Sequence, residues 1–144
     1  MDAFRFLELD HCRIDQQLRS LIDNYDQWPI REVFDKAVRI FDKIRQHFAR
    51  QELLLCANIR EMADTQKLMN QCLSDRKRIQ EEIDSLLMSH VDDADFKEEL
   101  RALLKKIDEH IQFSHETLYS DLQERLSPQA RLDLDTRFEQ MMLA

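Results

Sequence analysis

The 144-residue chain contains no glycine and only two prolines. Tight β-hairpins need residues that adopt a positive φ, and glycine is the usual one, so a sheet protein is disfavoured. The glycine-rich phosphate loop and the dinucleotide-binding fingerprint cannot be written without it. No run of apolar residues approaches the ~20 that a membrane span requires. The opening, Met1-Asp2-Ala3-Phe4-Arg5-Phe6, has no basic segment followed by an apolar stretch, so no secretory signal is expected. Cysteine is scarce and odd in number: Cys12, Cys56 and Cys72 show no disulfide spacing. They are expected to be reduced, buried thiols in a cytoplasmic protein.

The residues present favour long helices. Hydrophobic residues make up 43% and charged residues 35%, a balance that supports one globular domain over 1–144 rather than a disordered chain. The net charge of −8 repels phosphate backbones, so nucleic acid is not an expected partner. Apolar residues recur at steps of three and four. The first stripe, Phe4, Leu7, His11, Ile14, Leu18 and Leu21, predicts a helix over about 3–24. Pro29 separates it from a second stripe of Val33, Ala37, Ile40, Ile44, His47, Gln51 and Leu55, fraying near Met62. Asp64 is the expected cap of a third helix carrying Met69, Cys72, Arg76, Ile79, Ile83 and Leu86. Asp95, with Glu98 three residues on, is expected to cap a fourth with Phe96, Leu100, Leu103, Ile107, His110, Ser114, Leu118 and Leu122. Ser127-Pro128 then opens a short fifth helix with Ala130, Leu134, Phe138 and Met141 on one side. Short connections between long helices predict antiparallel neighbours: an all-α, up-down-up-down four-helix bundle with a short C-terminal helix.

The four stripes are each broken by polar residues. Counted from the turns at 1.5 Å per residue, His11, His47, Gln51, Cys72, Arg76 and His110 fall at one level of the bundle. A lone histidine on an apolar stripe is usually a hydrogen-bonded core residue. Four interruptions at one height require mutual satisfaction or a bound ion, because unpaired buried polar groups are costly. Histidines from separate helices are also how a bundle builds a metal site. His90 lies in a polar connection and is expected to be exposed. Trp28 is expected to plug the bundle end, and Met141 and Met142 to pack the last helix. No serine–histidine–acid arrangement is present, so no enzymatic activity is expected.

These residues resemble the hemerythrin-like (HHE cation-binding) family over nearly the whole chain. Asp10-His11-Cys12-Arg13-Ile14 is similar to its first-helix Asp-His-x-x-Ile pattern. His47 to Leu55 is similar to its His-x-x-x-Glu-Glu-x-x-Leu pattern, and His110-Ile111 through Leu118-Tyr119 to the matching pattern of its fourth helix. Leu126 through Phe138 resembles its closing helix. The resemblance implies a four-helix bundle and, in the family, a non-haem di-iron centre of five histidines and two bridging carboxylates that binds oxygen or senses oxygen, nitric oxide or iron. This sequence departs from that set. Gln51 and His115 stand where the bridging carboxylates are expected, and Cys72 and Arg76 where the third helix supplies histidines. Arg76 has no lone pair and stays charged, so it repels a metal and needs a carboxylate, with Glu52 and Glu116 the candidates. A di-iron centre is therefore not expected.

The expected function is a degenerate hemerythrin-like domain acting as a non-enzymatic binding or regulatory module without a cofactor, its protein partner and oligomeric state open. The alternative is a carrier or sensor of oxygen, nitric oxide or iron that holds one divalent metal, iron or zinc, on His11, His47, His110 and His115. A helical oligomerisation module is a third reading.

Overall fold

The computed structural model describes residues 2–59 and 66–143, with only the backbone of 53–59. The expected position of Leu55 on the stripe, the burial of Cys56, the fraying near Met62 and the cap at Asp64 lie outside the described side chains and residues. Helices α1 (Ala3–Asp23), α2 (Ile30–Ile59), α3 (Gln66–Met88) and α4 (Phe96–Phe113) form the bundle. A π-helical turn, Ser114–Leu118, joins α4 to α5 (Tyr119–Arg125), and α6 (Pro128–Leu143) follows. No strand occurs among the described residues.

Cross-helix pairs give the topology. Asp10 meets His47 and Gln17 meets Lys43, so α1 and α2 run antiparallel. Glu52–Arg76 and Arg45–Asp84 set α2 against α3 in the same sense, as Asp75–His110 and Glu82–Lys106 do for α3 and α4. Arg19–Asp108 and His11–His115 close α4 back onto α1. The four helices thus form the expected up-down-up-down ring. Helix α6 returns to the start of α1, where Asp135 accepts the Ala3 N–H at 2.9 Å and the Phe6 and Phe138 rings meet edge to face at 5.1 Å.

The helix ends follow local chemistry. Asp2 caps α1 by accepting from the N–H groups of Phe4 and Arg5. Ser127 caps α6, its Oγ accepting from the Ala130 N–H at 3.1 Å. Asp95 does not cap α4: its own backbone is already helical (φ −81°, ψ −13°), so its carboxylate makes no capping bond. The fourth helix is not a continuous α-helix either. The π-turn inserts one extra residue into the register, which buries Leu118 and Tyr119 side by side.

The core comes in two pieces. The larger holds Leu18, Phe41, Ile44, Ile83, Leu100 and their neighbours, with Trp28 packed against it. The smaller gathers Phe4, Leu7, Cys72, Leu118, Tyr119, Leu122, Leu134 and Phe138, with Met141 and Met142 against it. Neither piece includes the buried His11, His47, Gln51, Asp75, His110 or Ser114. A polar layer therefore divides the hydrophobic interior.

Candidate functional site

Each helix contributes to this layer at the point where its stripe turns polar. His11, His47 and His110 are 2%, 1% and 2% exposed, and Gln51 is fully buried. Their rings touch: the His11 centroid lies 4.1 Å from that of His47 and 5.7 Å from that of His110. The aligned heights read from the sequence thus bring these three histidines and Gln51 together. His115, on the π-turn, is half-buried and places its Nε2 3.1 Å from His11 Nδ1.

Two of the histidines are oriented by carboxylates. His47 Nδ1 lies 2.8 Å from Asp10 Oδ2, and His110 Nδ1 lies 3.0 Å from Asp75 Oδ2. A neutral ring that donates from Nδ1 presents a lone pair at Nε2. At His110 that nitrogen meets the Gln51 side-chain amide at 3.1 Å, and Ser114 Oγ lies 3.3 Å away. The far end of the amide lies 3.1 Å from Tyr119 Oη and 3.4 Å from Ser114 Oγ. Rotating the amide by 180° exchanges its oxygen and nitrogen within the same positions. In that orientation the NH2 group donates to His110 and the two hydroxyls donate to the carbonyl, satisfying the whole chain of groups.

His11 and His47 differ from His110. The Nε2 atom of each is buried without a hydrogen-bond partner. A cavity of about 10 Å³ lies against both rings and His110, walled on its other side by Ile14, Ile44 and Phe48. That is close to the ~10–15 Å³ needed for a single water. Burial lowers the His11 pKa well below 6.5, and the neighbouring His47, His110 and His115 lower it further. Burial also lowers that of His47, against the opposing pull of Asp10. His115 is lowered as well, again chiefly by burial.

The third helix corrects the sequence reading. Asp75, not Arg76, occupies the core position, and its pKa lies below the usual carboxylate value: hydrogen bonds from His110, Arg78 and Gln71 outweigh the burial that opposes them. Arg76 stands at the rim with its side chain 37% exposed, paired to Glu52. Glu116, the other expected partner, is exposed and lies 3.4 Å from the Gln112 amide. Cys72 is buried as expected, and desolvation, aided by Asp75, pushes its thiol up to about 12. A thiol held neutral in this way is a poor nucleophile near neutral pH. Cys12 is exposed, contrary to the expected burial, because it follows His11 on the outward side of α1. His90 is exposed, as expected.

The donor set does not fit a di-iron centre. Gln51 and His115 stand where the resemblance implies bridging carboxylates, and the Gln51 amide lies 3.1 Å from His110 Nε2. Among the described residues, no group of three or more His, Cys, Asp or Glu side chains is arranged to hold a metal ion. Sequence reasoning missed Asp75, and it gave no role to Tyr119 or Asp10, which contact Gln51 and His47. Asp75 adjoins Arg76 on the third stripe, which is the signal the sequence carries for it, whereas Tyr119 closes the fourth-helix motif quoted above. Compared with protein-family models, with characterised proteins and with solved structures, the chain matches none.

Proposed function

We propose that this chain is a non-enzymatic binding or regulatory module on a hemerythrin-like bundle whose polar layer is held largely by its own hydrogen bonds. The observation that carries this reading is the Gln51 amide, which links His110 to Tyr119 and Ser114 from the position where the family has a bridging carboxylate. A neutral amide satisfies the buried imidazole without a cation.

One observation favours a second reading, a carrier or sensor holding a single divalent metal. His11 and His47 each keep a buried, unpartnered Nε2, and Asp10 orients His47 as carboxylates orient metal-bound imidazoles. His115 would complete a three-nitrogen set by releasing His11 Nδ1.

Metal analysis separates the two. The untagged protein is incubated with iron(II) or zinc, desalted and measured by mass spectrometry. The first reading expects less than about a tenth of an equivalent and an unchanged melting temperature. Near-stoichiometric metal, lost on His47→Gln and accompanied by a rise in Tm, overturns it in favour of the second.

A further inference from the structure

A second feature lies away from the polar layer, in the groove between α1 and α2 near their connecting turn. Lys36, Arg39 and Lys43 follow one another at steps of three and four, which places all three cations on one stripe of α2. Gln17 and Ser20 face them from α1, and the cavity between measures about 220 Å³. Its apolar wall is made of the buried Leu21 and Ile40 with the half-buried Trp28.

The charge pattern is unusual for a chain of net charge −8. No carboxylate lines the groove. Arg39 makes no ion pair or hydrogen bond among the described residues and is exposed. Lys43 donates to a neutral acceptor, Gln17 Oε1, at 3.1 Å. Lys36 lies 4.6 Å from the centre of the Trp28 ring, and its one ion pair among the described residues is a long one, with Glu32 at 3.9 Å. Arg19, by contrast, sits against Asp15 and Asp108, and Lys97 against Asp26. Here three cations converge on a cavity with aromatic and aliphatic walls and have donor capacity to spare.

We propose that this groove binds a small organic anion, a phosphate or carboxylate carried on an aromatic ring or short apolar body. Arg39 and Lys43 hold the anionic group, Gln17 and Ser20 serve its polar edge, and Trp28, Leu21 and Ile40 take the apolar part. The volume lies below the ~300 Å³ at the lower end of drug-sized pockets, which suits a small molecule.

Trp28 is the only tryptophan, so its fluorescence reports on the groove directly. The full chain is titrated at constant ionic strength with phenyl phosphate, benzoate and benzyl alcohol. A saturable change is expected with at least one of the anions, and binding of neutral benzyl alcohol at least about tenfold weaker. Whichever of phenyl phosphate and benzoate binds more tightly identifies the anionic group. Substituting Arg39→Ala and Lys43→Ala together raises the half-saturating concentration at least about tenfold, whereas Lys105→Ala, an exposed cation on α4, changes it less than about twofold. The Arg39→Gln, Lys43→Gln pair repeats the measurement if the alanine pair lowers helicity. A linear response to both anions up to about 50 mM, beyond the millimolar range of a weak site, overturns the proposal. So do equal binding of benzyl alcohol and an unchanged midpoint in the double variant.

Discussion

Asp75 and Arg76 are neighbours in sequence with opposite fates. Asp75 is 6% exposed and ties His110 to α3, while Arg76 pairs with Glu52 where both side chains meet solvent. A hydrogen-bonded charge inside the bundle stabilises more than an ion pair on its rim. Asp75→Asn is therefore expected to cost about 1.5–3 kcal/mol in urea denaturation, because it removes the charged acceptor of His110 while preserving volume. Arg76→Ala is expected to cost under about 1 kcal/mol. Equal losses, or a larger loss for Arg76→Ala, would show that the guanidinium and not the carboxylate holds α3 in register. Helical periodicity cannot choose between the two. Steps from Cys72 of three, to Asp75, or four, to Arg76, are equally helical, and both residues are charged. The choice follows from side-chain reach: a short carboxylate meets an imidazole inside, and the long arginine stem carries its charge outward.

At the scale of an element, the π-turn is the departure from regularity that shapes the site. The extra residue lets Ser114 reach His110, His115 reach His11, and Tyr119 enter the core within one turn and a half. A π-turn behaves as a one-residue insertion in an α-helix. Deleting the exposed Thr117 is thus expected to restore an α-helical pitch and leave Leu122 facing the core. Deleting Lys105 from regular α4 instead rotates everything after it by about 100°, taking His110 off its face. Thermal denaturation followed by circular dichroism should show Thr117 deletion to be the milder of the two by a clear margin, and the reverse order would mean that the turn itself holds the fold. The apolar stripe of this helix was legible, since Phe96, Leu100, Leu103, Ile107, His110, Ser114, Leu118 and Leu122 are all buried. The π-turn was not legible, because an inserted residue is accommodated by backbone hydrogen bonding and leaves the stripe on either side intact.

For the whole molecule, the polar layer sets how stability responds to acid. The pKa values of His11, His47 and His115 all lie below the ordinary 6.5, chiefly from burial. The unfolded chain therefore binds more protons than the folded one just below pH 6.5, and stability falls as pH drops through that window. Asp108 acts in the opposite sense. Burial and the adjacent Asp15 raise it to about 6, so it favours the folded state at low pH and loses that contribution as pH rises towards 6. Three histidines against one partly exposed carboxylate leave a net loss. Melting temperature is expected to fall steadily from pH 7 to pH 5, less steeply in His115→Gln, which removes one titrating group. A flat or rising profile would mean that the buried imidazoles take up protons without cost. Further down, Asp75 adds a second loss below its unfolded value of 3.8, because its carboxylate is stabilised in the fold.

The absence of glycine, the spacing of apolar residues and the positions of Pro29 and Ser127-Pro128 were enough to determine the helices and their order, because a helix buries a stripe whose period is local. The same periodicity, combined with turn placement, brought His11, His47, Gln51 and His110 to one level, because rise per residue is a constant of the helix. What only the tertiary structure decided is how those groups use their hydrogen bonds. Gln51 faces His110, Asp10 faces His47, Asp75 replaces Arg76, and two imidazole nitrogens are left over. These depend on the rotation of each helix about its own axis and on side-chain length across the gap between helices, and neither is a property of any one helix's sequence.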